Sequence, residues 1–254
     1  VIPHSDGAGV VDAVGQGVDP ARIGSRVWVF GAQSYRALGT AAEFCCVPAE
    51  LAVDLPDSVS DEVGACLGIP GITAHRTVFA DGDVAGLSVL VHGVGGAVAS
   101  MAAQLAVRAG AIVVGTVRRS SSLASVALPG LAGVVALDDP GAAAAVLALA
   151  GGRIDRVVDV DFAGHLAFNQ QVVAIGGVIA AYATSDPRPV LDFWPMLFDN
   201  LVVRLLGSDD FPLDAKLAAA ADLTSAAADG SLAVSVGEVF GLEAIAQAHD
   251  RVDS

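Results

Sequence analysis

The stretch VLVHGVGGAVASMAAQLA, residues 89 to 106, runs from β-branched apolar residues through three glycines into an alanine-rich segment. Val98, Met101, Ala102, Leu105 and Ala109 recur at three- and four-residue spacing, which predicts a helix ended by Gly110. Glycines at a strand-to-helix junction let an anion approach the backbone N–H groups at the helix start. The stretch is therefore either a phosphate cradle or a flexible turn, and its surroundings decide between them.

From residue 88 onward, short apolar runs alternate with helical patterns: SVLVH (88–92), AIVVGTV (111–117), GVVAL (133–137), RVVDV (156–160), GVIAAYA (177–183) and LVVRLL (201–206). Being apolar on both faces, they predict six strands of a doubly wound parallel α/β sheet with crossover helices. Asp139-Pro140 reads as a cap residue and a first-turn proline opening one helix.

The first seventy residues differ. DGAGVVDAVG, SRVWVF and AAEFCCVP read as short strands between glycine and proline turns, with no helical pattern before about residue 61. The expected division is a mostly β region over 1–70, the parallel-sheet domain over 71–207, and a C-terminal segment, 208–254, packing back on the β region. That segment carries two helical patterns joined by the strand-like AVSVGEVF. The chain starts at Val1 without methionine and stops just after a helical pattern, so it reads as a fragment lacking both ends.

With 28 acidic residues against 13 Lys and Arg, the net charge is −15, which opposes nucleic acid phosphates and anionic lipid as partners. Cys45, Cys46 and Cys66 give no C-x-x-C and no even disulfide framework, and read as buried thiols of a cytoplasmic protein. His92, the glycines and Arg108 interrupt the longest apolar stretch before it reaches a membrane-spanning length.

Within this frame the glycine stretch has the spacing Gly93-x-x-Gly96-x-x-Ala99, which leans toward a dinucleotide cradle. The second strand ends about twenty residues later, where a site for NAD has an acidic residue on the ribose hydroxyls. Here stand Arg118, Arg119, Ser120, Ser121 and Ser122 instead. Two arginines and hydroxyls suit a 2′-phosphate and hence NADPH, unless they form only a solvated basic turn.

The loop, VDVDF at 158–162 and IPHSDGAGVVDAVG at 2–15 together resemble the medium-chain dehydrogenase/reductase superfamily, in its zinc-independent quinone oxidoreductase (zeta-crystallin-like) branch. The resemblance implies a GroES-like catalytic domain followed by a Rossmann domain. Aligned on DGAG, the zinc-binding histidine of the metal-dependent relatives falls on Ser5, so no metal is expected. By the same resemblance Thr73 faces the nicotinamide or bonds its own helix, and Gly93, Gly96, Ala97 and Val98 form the pyrophosphate loop. Arg118, Arg119 and Ser120 hold the adenosine phosphate. Tyr182 lies beside the nicotinamide path or packs, and Leu137 replaces the tyrosine that many relatives place near the adenine ribose. Phe193 and Trp194 face a flat apolar substrate, or are core or dimer contacts.

The implied chemistry is hydride transfer from NADPH to a quinone or an α,β-unsaturated carbonyl, with His4 and Tyr35 the catalytic candidates. His4 could line the cleft by its position, but a histidine there is more often a structural, hydrogen-bonding one. The alternatives are an enoyl-thioester reductase and a non-catalytic NADPH-binding dimer. The sixth strand, NLVVRLLG, has the apolar edge that a homodimer would cover.

Overall fold

Alternating small and β-branched residues pair β1 (Gly7–Val10) antiparallel with β2 (Arg26–Val29), and β2 in turn with β3 (Ala52–Asp54). They belong to a computed structural model that describes residues 1–253 and divides into two units. The first unit takes Val1–Ile72 and the segment from Pro212 onward, and the second takes Thr73–Phe211.

In the first unit Val27, Val29 and Ala32 form a buried cluster backed by Val11, Val47 and Ala52. Ser60 caps α1 (Asp61–Ala65) by accepting the Val63 N–H, and α2 (Ile69–Phe79) follows, with the unit boundary inside it. The expected strand AAEFCCVP is not formed, and the third strand of the sheet is β3 instead. Residues 45–48 have no ladder partner among the described residues, and apolar alternation alone does not supply one. Cys45 and Cys46, on that unpaired segment, are exposed, and Cys66 at the end of α1 is half-buried, where the sequence suggested buried thiols.

The second unit is a six-stranded, wholly parallel sheet. Its strands are β4 (Ser88–Val91), β5 (Ile112–Val117), β6 (Gly133–Ala136), β7 (Ile154–Asp159), β8 (Val173–Ala181) and β9 (Val202–Leu205). All four residues of β4 are buried, as a central strand covered on both faces requires. The crossover helices are α3 (Ala97–Arg108), α4 (Ala142–Ala150) and α5 (Phe162–Val172), followed by the short α6 (Phe193–Phe198). One core cluster unites Leu90, Val114, Val146, Ile154, Phe162 and Ile179.

The spatial order β6-β5-β4-β7-β8-β9 reverses direction between β4 and β7, and such a reversal opens a crevice beyond the carboxyl ends of those two strands. The cap expected at Asp139-Pro140 is displaced. Asp139 Oδ1 accepts the Gly141 N–H (2.7 Å) in a tight turn, and α4 starts two residues past the proline.

The chain returns to the first unit with α7 (Leu213–Ala228) and α8 (Ile245–Asp253). Trp28, fully buried in β2, donates its indole N–H to the Thr224 hydroxyl of α7 at 3.0 Å. The expected strand AVSVGEVF between the two helices is irregular, without ladder partners among the described residues.

Candidate functional site

After Val91 the chain crosses the crevice. The His92 N–H donates to Val158 O and the Val94 N–H to Thr116 O, both at 3.0 Å, which ties the turn to β7 and β5. Gly93 takes a left-handed φ of +70°, and a Cβ there would lie 3.2 Å from Val160 Cγ1. Gly115 leaves room for Val94: a Cβ on it would come within 2.8 Å of the Val94 Cγ1. Gly96 is the N-cap of α3, and no side chain caps that end.

Gly95, Gly96 and Ala97 are exposed, with open space where a Gly95 side chain would be. The first amides of α3 therefore face solvent without a side-chain acceptor, and the helix dipole favours an anion there. A dinucleotide pyrophosphate fits this arrangement of Gly93, Gly96, Ala97 and Val98. Ala99, at 1% exposure, lets α3 lie close on the sheet.

At the end of β5, Arg118 and Arg119 are exposed, and neither guanidinium has a hydrogen bond or ion pair among the described residues. Ser120 is not free in the same way. Its hydroxyl donates to Asp138 Oδ1 at 2.6 Å, and its N–H lies 3.0 and 3.1 Å from the two carboxylate oxygens. The Ser120 hydroxyl, its amide and the nearby Arg119 hold the Asp138 carboxyl below the usual carboxylate range.

Beneath the loop lies a polar cluster that the sequence reading missed. His92, fully buried, joins Thr116 Oγ1 through Nδ1 and Asn169 Oδ1 through Nε2, both at 2.8 Å. Asp159, closing β7, accepts from Asn169 Nδ2 and pairs with His165 Nδ1, both at 2.7 Å. His165 stacks on His92 with ring centroids 4.1 Å apart.

Burial, with His165 alongside, pushes His92 down to about 4, so it is neutral at physiological pH. Burial works against the Asp159 carboxylate, but the bond from His165 and the adjacent imidazoles outweigh it and hold Asp159 low. Ligand atoms of His92, Asp159 and His165 lie within 4.8 Å of one another, spacing that could hold a metal. Each residue already spends at least one of those atoms on a neighbour within the cluster. The arrangement suits a hydrogen-bonded brace between β4, β5, β7 and α5 better than a cation cage. The sequence signal was a histidine before the glycine turn, an aspartate ending the fourth strand, and His165 and Asn169 one helical turn apart.

Tyr182 follows β8, and its N–H donates to Asp159 O (3.1 Å). Burial and the Asp159 charge push its phenol above its ordinary value, so it does not ionise readily. Thr73 is buried in α2, and the back-bond to a helix carbonyl is made by Thr77 to Ala74 O (2.8 Å). His4, at a left-handed φ of +72°, shares a 2.8 Å Nε2–Nε2 contact with His249. Tyr35 is 81% exposed in a turn at φ +55°. The structure therefore gathers the glycine loop, Arg118, Arg119 and Ser120 around one strand-end region of the second unit, and leaves His4 and Tyr35 at separate surface positions of the first. The first unit also holds a cavity of about 600 Å³ lined by Val11, Val29, Phe44 and Cys46 among others, and no site candidate lines it.

A doubly wound unit carrying a glycine loop, joined to a GroES-like β unit, is the architecture of the medium-chain dehydrogenases/reductases. No family model matches the chain. Over 115 residues it is 40% identical to a rat (Rattus norvegicus) quinone oxidoreductase and 37% identical to the human one, alignments covering 45% of this chain and 34% of each relative. The chain thus spans about a third of the length of the curated relatives it matches. The quinone oxidoreductase of Pseudomonas syringae superposes with a TM-score of 0.83 at 27% identity, over 98% of this chain and 77% of that one. A mycobacterial protein solved in complex with NADPH superposes at 0.82 and 28% identity, over 99% and 78%. The chain is thus similar to quinone oxidoreductases in sequence over part of its length and in fold over nearly all of it.

Proposed function

We propose that the protein is an NADPH-dependent reductase that transfers hydride to a quinone or an α,β-unsaturated carbonyl without a metal. The observation that carries this reading is the uncapped, open N-terminus of α3 behind Gly93 and Gly96, together with the exposed Arg118 and Arg119 guanidinium groups at the end of β5, which make no hydrogen bond or ion pair among the described residues. The first would hold a pyrophosphate and the second a 2′-phosphate. The quinone oxidoreductase names of its relatives and the NADPH held by the mycobacterial structure support it. NADPH supplies the hydride when bound, while Gly93, Gly96, Ala97 and Val98 orient it and Thr73 and Tyr182 flank its nicotinamide end.

Work without zinc is supported by Ser5 at the position of the metal-binding histidine and by the internally bonded His92–Asp159–His165 cluster. A reducing, cytoplasmic setting agrees with the three free thiols. A homodimer through β9 agrees with the exposed apolar side chains on and beside that strand.

The test is the consumption of NADPH and of NADH by the purified chain, with a simple benzoquinone and then an enone as acceptor. Quinone-dependent turnover preferring NADPH is expected. Preference for NADH overturns the arginine assignment. NADPH binding without turnover on either acceptor moves the reading to a thioester substrate or a non-catalytic binder.

A further inference from the structure

We infer that Asp138 tunes the cofactor preference of this site: a carboxylate delivered from the end of β6 opposes the 2′-phosphate that Arg118 and Arg119 attract. The inference rests on the dinucleotide reading above and names the residue that sets its selectivity.

In a doubly wound sheet the adenosine ribose comes to the end of the second strand, where an acidic residue accepts from its hydroxyls. In this chain the second strand, β5, ends without one. The neighbouring strand supplies it. Val117 and Ala136 are register partners at the ends of β5 and β6, and the Leu137 N–H donates to Val117 O at 2.9 Å. The next residue is Asp138, latched to Ser120 by three contacts of 2.6 to 3.1 Å.

The two arginines thus stand beside the Asp138 carboxylate rather than alone. A phosphate seeking the Ser120 amide and hydroxyl finds both already given to a negative group. A ribose hydroxyl finds a ready acceptor in the same carboxylate. Asp138 is exposed, so its charge acts through water and is screened by salt.

The experiment measures NADPH and NADH affinity by dihydronicotinamide fluorescence at low and high salt, for the wild type, Asp138→Asn, Asp138→Ser and Ser120→Ala. Both Asp138 variants should raise the NADPH-to-NADH affinity ratio about three- to tenfold at low salt, with the gain shrinking at high salt. Ser120→Ala keeps the charge and should move both affinities together. An unchanged ratio in the Asp138 variants, with both dinucleotides bound, overturns the inference and leaves the cofactor reading standing. A ratio change in Ser120→Ala as large as in Asp138→Asn also overturns it, because position rather than charge would then set the preference. No binding of either dinucleotide by the wild type overturns the cofactor reading and the inference together.

Discussion

Asp6 sits where the chain enters β1, with Oδ2 accepting the Ile69 N–H at 2.8 Å and Oδ1 buried without a hydrogen-bond partner among the described residues. A Cβ on Gly68 would strike this carboxyl at 2.1 Å, so the glycine is what admits it. Burial pushes the acid up to about 6, against the pull of the Ile69 and Gly31 amides. The sign follows from linkage. Between about pH 4 and 6 the folded chain keeps a proton that the unfolded chain has released, so the site's contribution is full in acid and is lost as pH rises through 6. Asp6→Asn keeps an acceptor for Ile69 and removes the charge. It should stabilise the protein by roughly 1–3 kcal/mol at pH 8, with the gain vanishing below about pH 4. Chemical denaturation of both proteins across that range checks it, and a gain equal at pH 4 and pH 8 would rule the charge out as its cause.

Among the elements, β7 shows what the sequence disclosed and what it hid. Its apolar Val157 and Val158 announced a central strand, and the strand is there. Arg156 in the same run gave no sign of being buried. Yet it is only 4% exposed, and its guanidinium reaches Val78 O, Gly82 O and Asp81 O at the carboxyl end of α2. Asp81 is in turn clasped by Arg204 of β9. The partners lie more than seventy residues away in the chain, and periodicity carries no information about such pairings. The glycine loop was legible for the opposite reason, since strand, turn and helix are contiguous and each glycine has a local steric task. His92 with Asp159, and Ser120 with Asp138, needed the sheet order before they could be seen. Arg156→Met keeps much of the buried stem while orphaning three carbonyls, and should destabilise the protein by about 2–4 kcal/mol. A thermal melt checks it, and a loss below 0.5 kcal/mol would show that those carbonyls find water instead.

At the scale of the whole molecule, β9 is an edge strand whose side chains are not covered: Val202 is 40% exposed and Leu205 72%. On the adjoining segment Phe193, Trp194 and Phe198 are each more than 60% exposed, with Trp194 meeting Phe193 edge-on and stacking on Phe198. Single exposed apolar residues need no explanation, but a cluster of aromatics beside an open strand edge does. A second copy would meet the need, because a two-fold axis at β9 would present the same strand edge and the same rings to themselves. The chain's charge of −15 repels copies at long range, so the apolar patch has to outweigh it, and added salt should tighten the pairing. Sedimentation equilibrium at micromolar concentration should find a dimer. Leu205→Lys combined with Phe198→Lys, both at exposed positions, should leave the fold intact and weaken dimerisation at least a hundredfold. A monomeric wild type, or a double variant that still dimerises as tightly, would remove β9 from the interface and leave the aromatic cluster to a partner of another kind.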